Sequence, residues 1–243
     1  MDAPTLAAPF VLSDVDDAAR VASGHVDVFA VRTDADGTPV GRRRHVCRRM
    51  TGEAVFAVPG ARVALLAVPS TGAELVPVDR ALVDMASLVE GWVAAVGEGV
   101  FGGTPPKESV RPVPGEVLEV EEGAALRSRD GLVWVRFEEG GATLAGRPEL
   151  PTNGRAVPVG VRPWLVTTAP TRAHVTTTAD RLAEAALDGD LDAFHSLVLD
   201  ALAADEDRAA VAEGARATRR SEGARAALAE GSSRLASILL DDD

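Results

Sequence analysis

The chain has 243 residues, 46% apolar but only 4% aromatic and without tyrosine, so it suits one large domain or two small ones with cores filled by Val, Leu and Ala. A formal net charge of −12 excludes a broad nucleic-acid surface, because duplex binding needs clustered cations that displace counterions. Cys47 is the only cysteine, which excludes an intramolecular disulfide and a cysteine-based zinc site and suits a reducing, cytoplasmic setting.

The opening MDAPTLAAPF has no basic stretch ahead of a continuous apolar run, so no signal peptide is expected. No run reaches the roughly 18 apolar residues of a membrane helix. Residues 1–98 read as a first β-roll plus helix, with strands expected at 19–21, 26–32, 43–49, 54–58, 63–68 and 73–76. Turn residues punctuate them at the short spacing of a roll or sandwich, not of βαβ units. Asp34-Ala35-Asp36-Gly37 is the clearest turn, since Gly accepts positive φ and Asp carboxylates bond nearby backbone N–H groups. Asp79 is a suitable helix cap, and Leu82, Met85, Leu88, Trp92, Val93 and Val96 then recur at three-and-four spacing, with Gly97 and Gly99 expected to end the helix.

Residues 99–116, rich in Gly and Pro, read as a linker. Residues 117–204 repeat the plan as a second β-roll plus helices. Strands are expected at 117–120, 125–127, 132–137, 142–145, 155–159 and 164–169, with turns at Asp130-Gly131, Glu139-Gly140-Gly141 and Pro151-Thr152-Asn153-Gly154. Thr178 is placed to cap a helix that Gly189 interrupts, and a further helix carries Leu191, Phe194, His195, Val198 and Leu202. A C-terminal helix and acidic tail fill 205–243. That helix has few large apolar residues between Arg208 and Arg225, so it needs a partner, a second copy or further chain to be stable. The expected fold is mainly β with appended α-helices: tandem small β-rolls of the cupin or cyclic-nucleotide-binding kind, each followed by helices.

No G-x-x-x-x-G-K-[ST] loop is present, Lys107 is the only lysine, and no G-x-S-x-G elbow occurs, so no enzyme is expected. Three constellations remain. His25 and Asp27 lie two apart on one strand and face one side, where His45 from a neighbouring strand can join them as a metal-ligand set. Gly52, Glu53 and Arg62 have the order and spacing of a phosphate clamp, in which backbone N–H groups and an arginine fork neutralise the anion. Arg42, Arg43, Arg44, Arg48 and Arg49 form the one basic cluster, read either as a charge-protected strand edge or as a partner-binding patch for an acidic element.

The runs GHVDVFAV (24–31), GRRRHVCR (41–48) and GEAVF (52–56), with ALVDMASLVEGWV (81–93) and SRLASIL (233–239), resemble the N-terminal cyclic-nucleotide-binding-like region of NHLM-type bacteriocin and peptide export ABC transporters, the ATP-binding permeases. The permease helices and Walker motifs of that family have no counterpart here. The resemblance implies a non-enzymatic regulatory or docking region associated with an exporter of ribosomally made peptides. It would be cytoplasmic, held at the inner face of the membrane through a partner or a further stretch of chain. Its partners would be the membrane permease/ATPase or the peptide cargo. No cofactor is expected. The alternatives are a cyclic-nucleotide or small-anion sensor using Gly52, Glu53 and Arg62, a metal-dependent cupin-type enzyme, and an assembly or scaffold protein forming a homo-oligomer.

Overall fold

The architecture, in a computed structural model, is described for residues 8–60, 62–80, 83–145, 147 and 154–240, the side chains of 226 and 229–240 excepted. Among these residues the chain is mainly β, in four antiparallel sheets, with helices appended. The expected turn residues 151–153, the helix residue Leu82 and the tail Asp241–Asp243 lie outside the described residues.

The first seven strands are β1 (Phe10–Val11), β2 (Ala18–Ser23), β3 (His25–Thr33), β4 (Pro39–Met50), β5 (Ala54–Phe56), β6 (Val63–Pro69) and β7 (Glu74–Pro77). They form sheets in the orders β1-β6-β3-β4 and β5-β2-β7. Three long ribbons pass from one sheet to the other: β2 into β3 at Gly24, β4 into β5 at Thr51-Gly52, and β6 into β7 across residues 70–73. The β2–β3 ribbon is central in both sheets. Its alternation decides what is inside: Val26, Val28 and Ala30 are buried, while His25, Asp27 and Phe29 on the opposite face are half-buried. Each valine so covered contributes roughly 1.5–3 kcal/mol.

The second seven are β8 (Val117–Val120), β9 (Ala125–Leu126), β10 (Val133–Glu139), β11 (Ala142–Leu144), β12 (Ala156–Val159), β13 (Leu165–Thr167) and β14 (Thr171–Thr176). Their sheets run β12-β10-β14-β8 and β11-β13-β9. Each half thus has a four-stranded and a three-stranded sheet, but the connectivity differs. The first half pairs the consecutive strands β3 and β4, whereas among the described residues no two consecutive strands of the second half are partners. The internal strand β14 is absent from the sequence expectation. Its buried face is Thr171, Ala173 and Val175, too small and too polar to give a strong alternation.

Helix α1 (Met85–Val100) buries Met85, Val89, Trp92, Val93, Val96 and Val100 along one stripe. Its cap is Asp84 rather than Asp79: the Asp84 carboxylate accepts from Ser87 N at 3.2 Å and from the Ser87 hydroxyl at 2.7 Å. The helix runs through Gly97 and Gly99 instead of stopping there. A Cβ on Gly97 would lie 2.8 Å from Pro163 Cδ, and one on Gly99 would overlap the Val46 carbonyl. Close approach to these two backbones is what both glycines permit, at a helix-propensity cost of about 1 kcal/mol each. Helix α2 (Thr178–Ala183) begins at the residue expected to cap it; the cap is Thr177, one residue earlier, in a capping box with Asp180. The Thr178 hydroxyl accepts from Trp134 Nε1 at 3.0 Å. Helix α3 (Leu187–Leu240) continues past Gly189, where the Arg155 guanidinium occupies the space of a side chain.

The Gly/Pro-rich residues after α1 are tied to the second half: Val110 N donates to Ala125 O, Arg127 N to Val110 O and Gly115 N to Val175 O. By contacts the chain divides into Met1–Leu202 and Ala203–Asp243. Within the second unit, side chains 207–225 are exposed, and Arg208 pairs with Asp205 one turn away. No helix among the described residues is long and apolar enough to cross a membrane.

Candidate functional site

The five arginines of β4, read as a charge-protected strand edge or as a partner-binding patch, have different surroundings along the strand. Arg49 faces inward at 3% exposure. It donates from Nε to Ala54 O at 3.2 Å and from an Nη to Gly91 O at 3.0 Å, with Glu53 Oε2 at 3.6 Å. It therefore fastens the β4–β5 corner to α1. Burial pushes its guanidinium pKa down. Arg48 points outward and grips Asp27, directly opposite in register, through Nε–Oδ1 at 2.8 Å and Nη2–Oδ2 at 2.9 Å. Arg44 donates to Gly99 O at 3.3 Å.

Like Arg48, Arg42 and Arg43 are exposed. Their position follows from a register change: Ala30 faces Arg44 and Arg32 faces Val40, so two steps of β3 oppose four of β4. The extra residues bulge outward around Gly41, whose φ of +78° suits a residue without Cβ. Since β4 is the edge of its sheet, the bulge carries Arg42 and Arg43 on a free strand edge beside exposed Val40 and Arg32.

The three residues weighed as a metal-ligand set do converge. His45 Nε2 lies 3.3 Å from Asp27 Oδ1, and His25 Nε2 lies 3.8 Å from Asp27 Oδ2. The Arg48 guanidinium, however, sits on both carboxylate oxygens, where a cation would bind. Arg48 beside it, with His45, holds the Asp27 carboxyl below the usual carboxylate range. No group of three or more His, Cys, Asp or Glu among the described residues is arranged to hold a metal ion. Cys47, buried on the same strand, has its thiol pushed up to about 12 by desolvation and is a packing residue.

Gly52, Glu53 and Arg62 do not meet. Gly52 is the corner between β4 and β5, with φ of +92° and its N–H on Val21 O at 2.8 Å. The Glu53 carboxylate accepts from Met50 N at 2.7 Å. This corner sits at the His25 end of β3, since His25 faces Met50. Exposed Arg62 adjoins the other end, where its carbonyl accepts from Thr33 N and Val63 faces Arg32. Seven residues of extended strand separate the two, roughly 23 Å. Glu53 acts as a turn acceptor, and the three groups share no common phosphate position.

One buried polar group has no local sequence signal. His195 on α3, 2% exposed, accepts a hydrogen bond from Trp92 Nε1 at Nε2, 2.9 Å, across 103 positions of sequence. Accepting at Nε2 places the ring proton on Nδ1. Phe56 and Phe194 flank this pair. Outside it, Arg80 joins Asp17 (2.7 Å) to Asp188 (3.0 Å) and holds the Asp17 carboxyl below its ordinary value. Burial pushes the His195 imidazole down to about 4. The unfolded chain takes up this proton near pH 6.5 and the folded chain only near 4, so stability is full above 6.5 and falls as pH drops through that window, by about 3 kcal/mol in total. Urea unfolding at a series of pH values is expected to show this component in the parent chain. It should be absent in His195→Gln, which keeps an acceptor for Trp92 but does not titrate.

No family model matches the chain, and no curated protein matches it.

Proposed function

We propose that the chain is a non-enzymatic regulatory or docking region of an ABC-type exporter of ribosomally made, bacteriocin-type peptides, acting in the cytoplasm at the inner face of the membrane and engaging the permease/ATPase or its peptide cargo. The observation that carries the reading is the bulged edge of β4. Val40, Arg42 and Arg43 are exposed there, on a strand whose outer backbone groups face no partner strand among the described residues. Such an edge recognises an extended segment through main-chain hydrogen bonds, and the arginines select an acidic one. Against a net charge of −12, these local cations give the partner a defined landing point. The resemblance of residues 24–56 to the exporter region supplies the class of machine.

A pull-down with the leader peptide and permease encoded at the same locus tests the proposal. At least one is expected to be retained, and the double charge reversal R42E/R43E is expected to weaken retention ten-fold or more while leaving the melting temperature unchanged. Recovery of neither, or full retention by the reversed variant, would contradict it.

A further inference from the structure

We infer that the cleft between α1 and the second roll is a binding site for a carboxylate that carries an N–H donor and a small apolar side chain on its neighbouring carbon, as in a free α-amino acid or the C-terminus of a peptide. The cleft has a volume of about 530 Å³ and is lined on the helix side by Glu90, Ala94 and Glu98, one above another at four-residue spacing, and on the roll side by Arg127, Leu132 and Arg162. Arg127 Nε is buried and has no hydrogen-bond partner. The residue as a whole is half-buried and lines the cleft, and its side chain makes no ion pair among the described residues, so a carboxylate in the cleft meets an uncompensated guanidinium. Glu90 and Glu98 line the same space, yet no ion pair joins them to Arg127 or Arg162 among the described residues. Opposite charges therefore stand on separate walls with a gap between them, and Ala94 and Leu132 give that gap an apolar surface.

A ligand that fits must bridge the walls: a carboxylate on the arginine side, N–H groups toward the glutamates, and an apolar group against Leu132. Arginine's planar fork suits the two oxygens of a carboxylate. The volume suits one or two amino-acid residues. The close seat of α1 on Pro163 through Gly97 fixes one wall against the loop that carries Arg162. This inference stands independently of the β4 edge and of the exporter reading.

The test is titration calorimetry of the full chain with L-leucine, N-acetyl-L-leucine, and the acetylated tetrapeptide Gly-Ala-Val-Leu as free acid and as C-terminal amide. The free-acid tetrapeptide binding and its amide failing to bind assigns the site to peptide C-termini. Leucine binding without the tetrapeptide assigns it to free amino acids, and then Glu90→Gln/Glu98→Gln weakens leucine more than N-acetyl-leucine. In either case Arg127→Gln is expected to lower affinity about ten- to hundred-fold, the range for loss of a charge-assisted hydrogen bond. Ala94→Trp, on an exposed helix position that fills the cleft, is expected to abolish binding in a chain with unchanged melting. If no probe gives heat, if amide and acid bind alike, or if Arg127→Gln and Ala94→Trp both leave affinity unchanged, the inference is overturned.

Discussion

Replacing Asp190 by alanine is expected to destabilise the chain by about 3–5 kcal/mol, the range for breaking a buried ion pair from one side. Asp190 is fully buried, and both its oxygens are used: Oδ1 accepts from Ala156 N at 2.9 Å, and Oδ2 accepts from Arg181 Nε at 2.7 Å and Nη2 at 2.6 Å. Arg181 is itself 7% exposed, with Glu184 as its second partner. The pair ties α2 and the start of α3 to β12, and removing the carboxylate strands a guanidinium and a backbone N–H out of water. Asp190→Asn, which keeps an acceptor for Ala156, is expected to cost about half as much. Asp188→Ala two residues away removes an exposed partner of Arg80 and is expected to change stability by under about 1 kcal/mol. Urea unfolding of the three variants checks the order. Equal, small effects would show that the buried pair does not hold the helices.

Gly99→Ala is expected to be as damaging, about 3 kcal/mol or more, although alanine is the better helix former. A Cβ at this position would overlap the Val46 carbonyl oxygen and crowd Val46 C at 2.7 Å. The obstacle is backbone of an adjoining strand, so neither group turns aside by a rotamer change, and α1 must lift from β4. Lifting also strains the Arg44 bond to Gly99 O and the Arg49 bond to Gly91 O. Gly214→Ala is the control: a Cβ there meets nothing, and the substitution is expected to raise helix content with a gain of up to about 1 kcal/mol locally. Circular dichroism during thermal unfolding separates the two outcomes.

The strands were legible where valine alternates with polar residues, as in 26–31, and where Gly or Asp closes a turn. Asp34 accepts from Asp36 N and Thr38 N at the expected corner. Strand β14 was not legible because its inner face is built from small residues. The break expected at Gly189 and the end expected at Gly97–Gly99 read glycine as a helix terminator, whereas here it makes room for Arg155, Pro163 and Val46. Convergence of His25, Asp27 and His45 was readable from period two, but Arg48 on that carboxylate depends on register, which no local pattern fixes. The inward turn of Arg49 did leave a trace, since it shares strand parity with buried Cys47. The Trp92–His195 bond and the Arg127 Nε without an acceptor among the described residues arise from elements distant in sequence, and single-chain periodicity carries no information about them.

Hydrogen exchange of the full chain, with and without the leader peptide or permease of the same locus, addresses the docking proposal most directly. It predicts slowed exchange at the β4 edge, residues 39–43, on adding partner, with the Gly52–Glu53 corner unchanged and the effect lost in R42E/R43E. Protection confined to other segments, or no protection at partner concentrations that saturate the exporter, would contradict it.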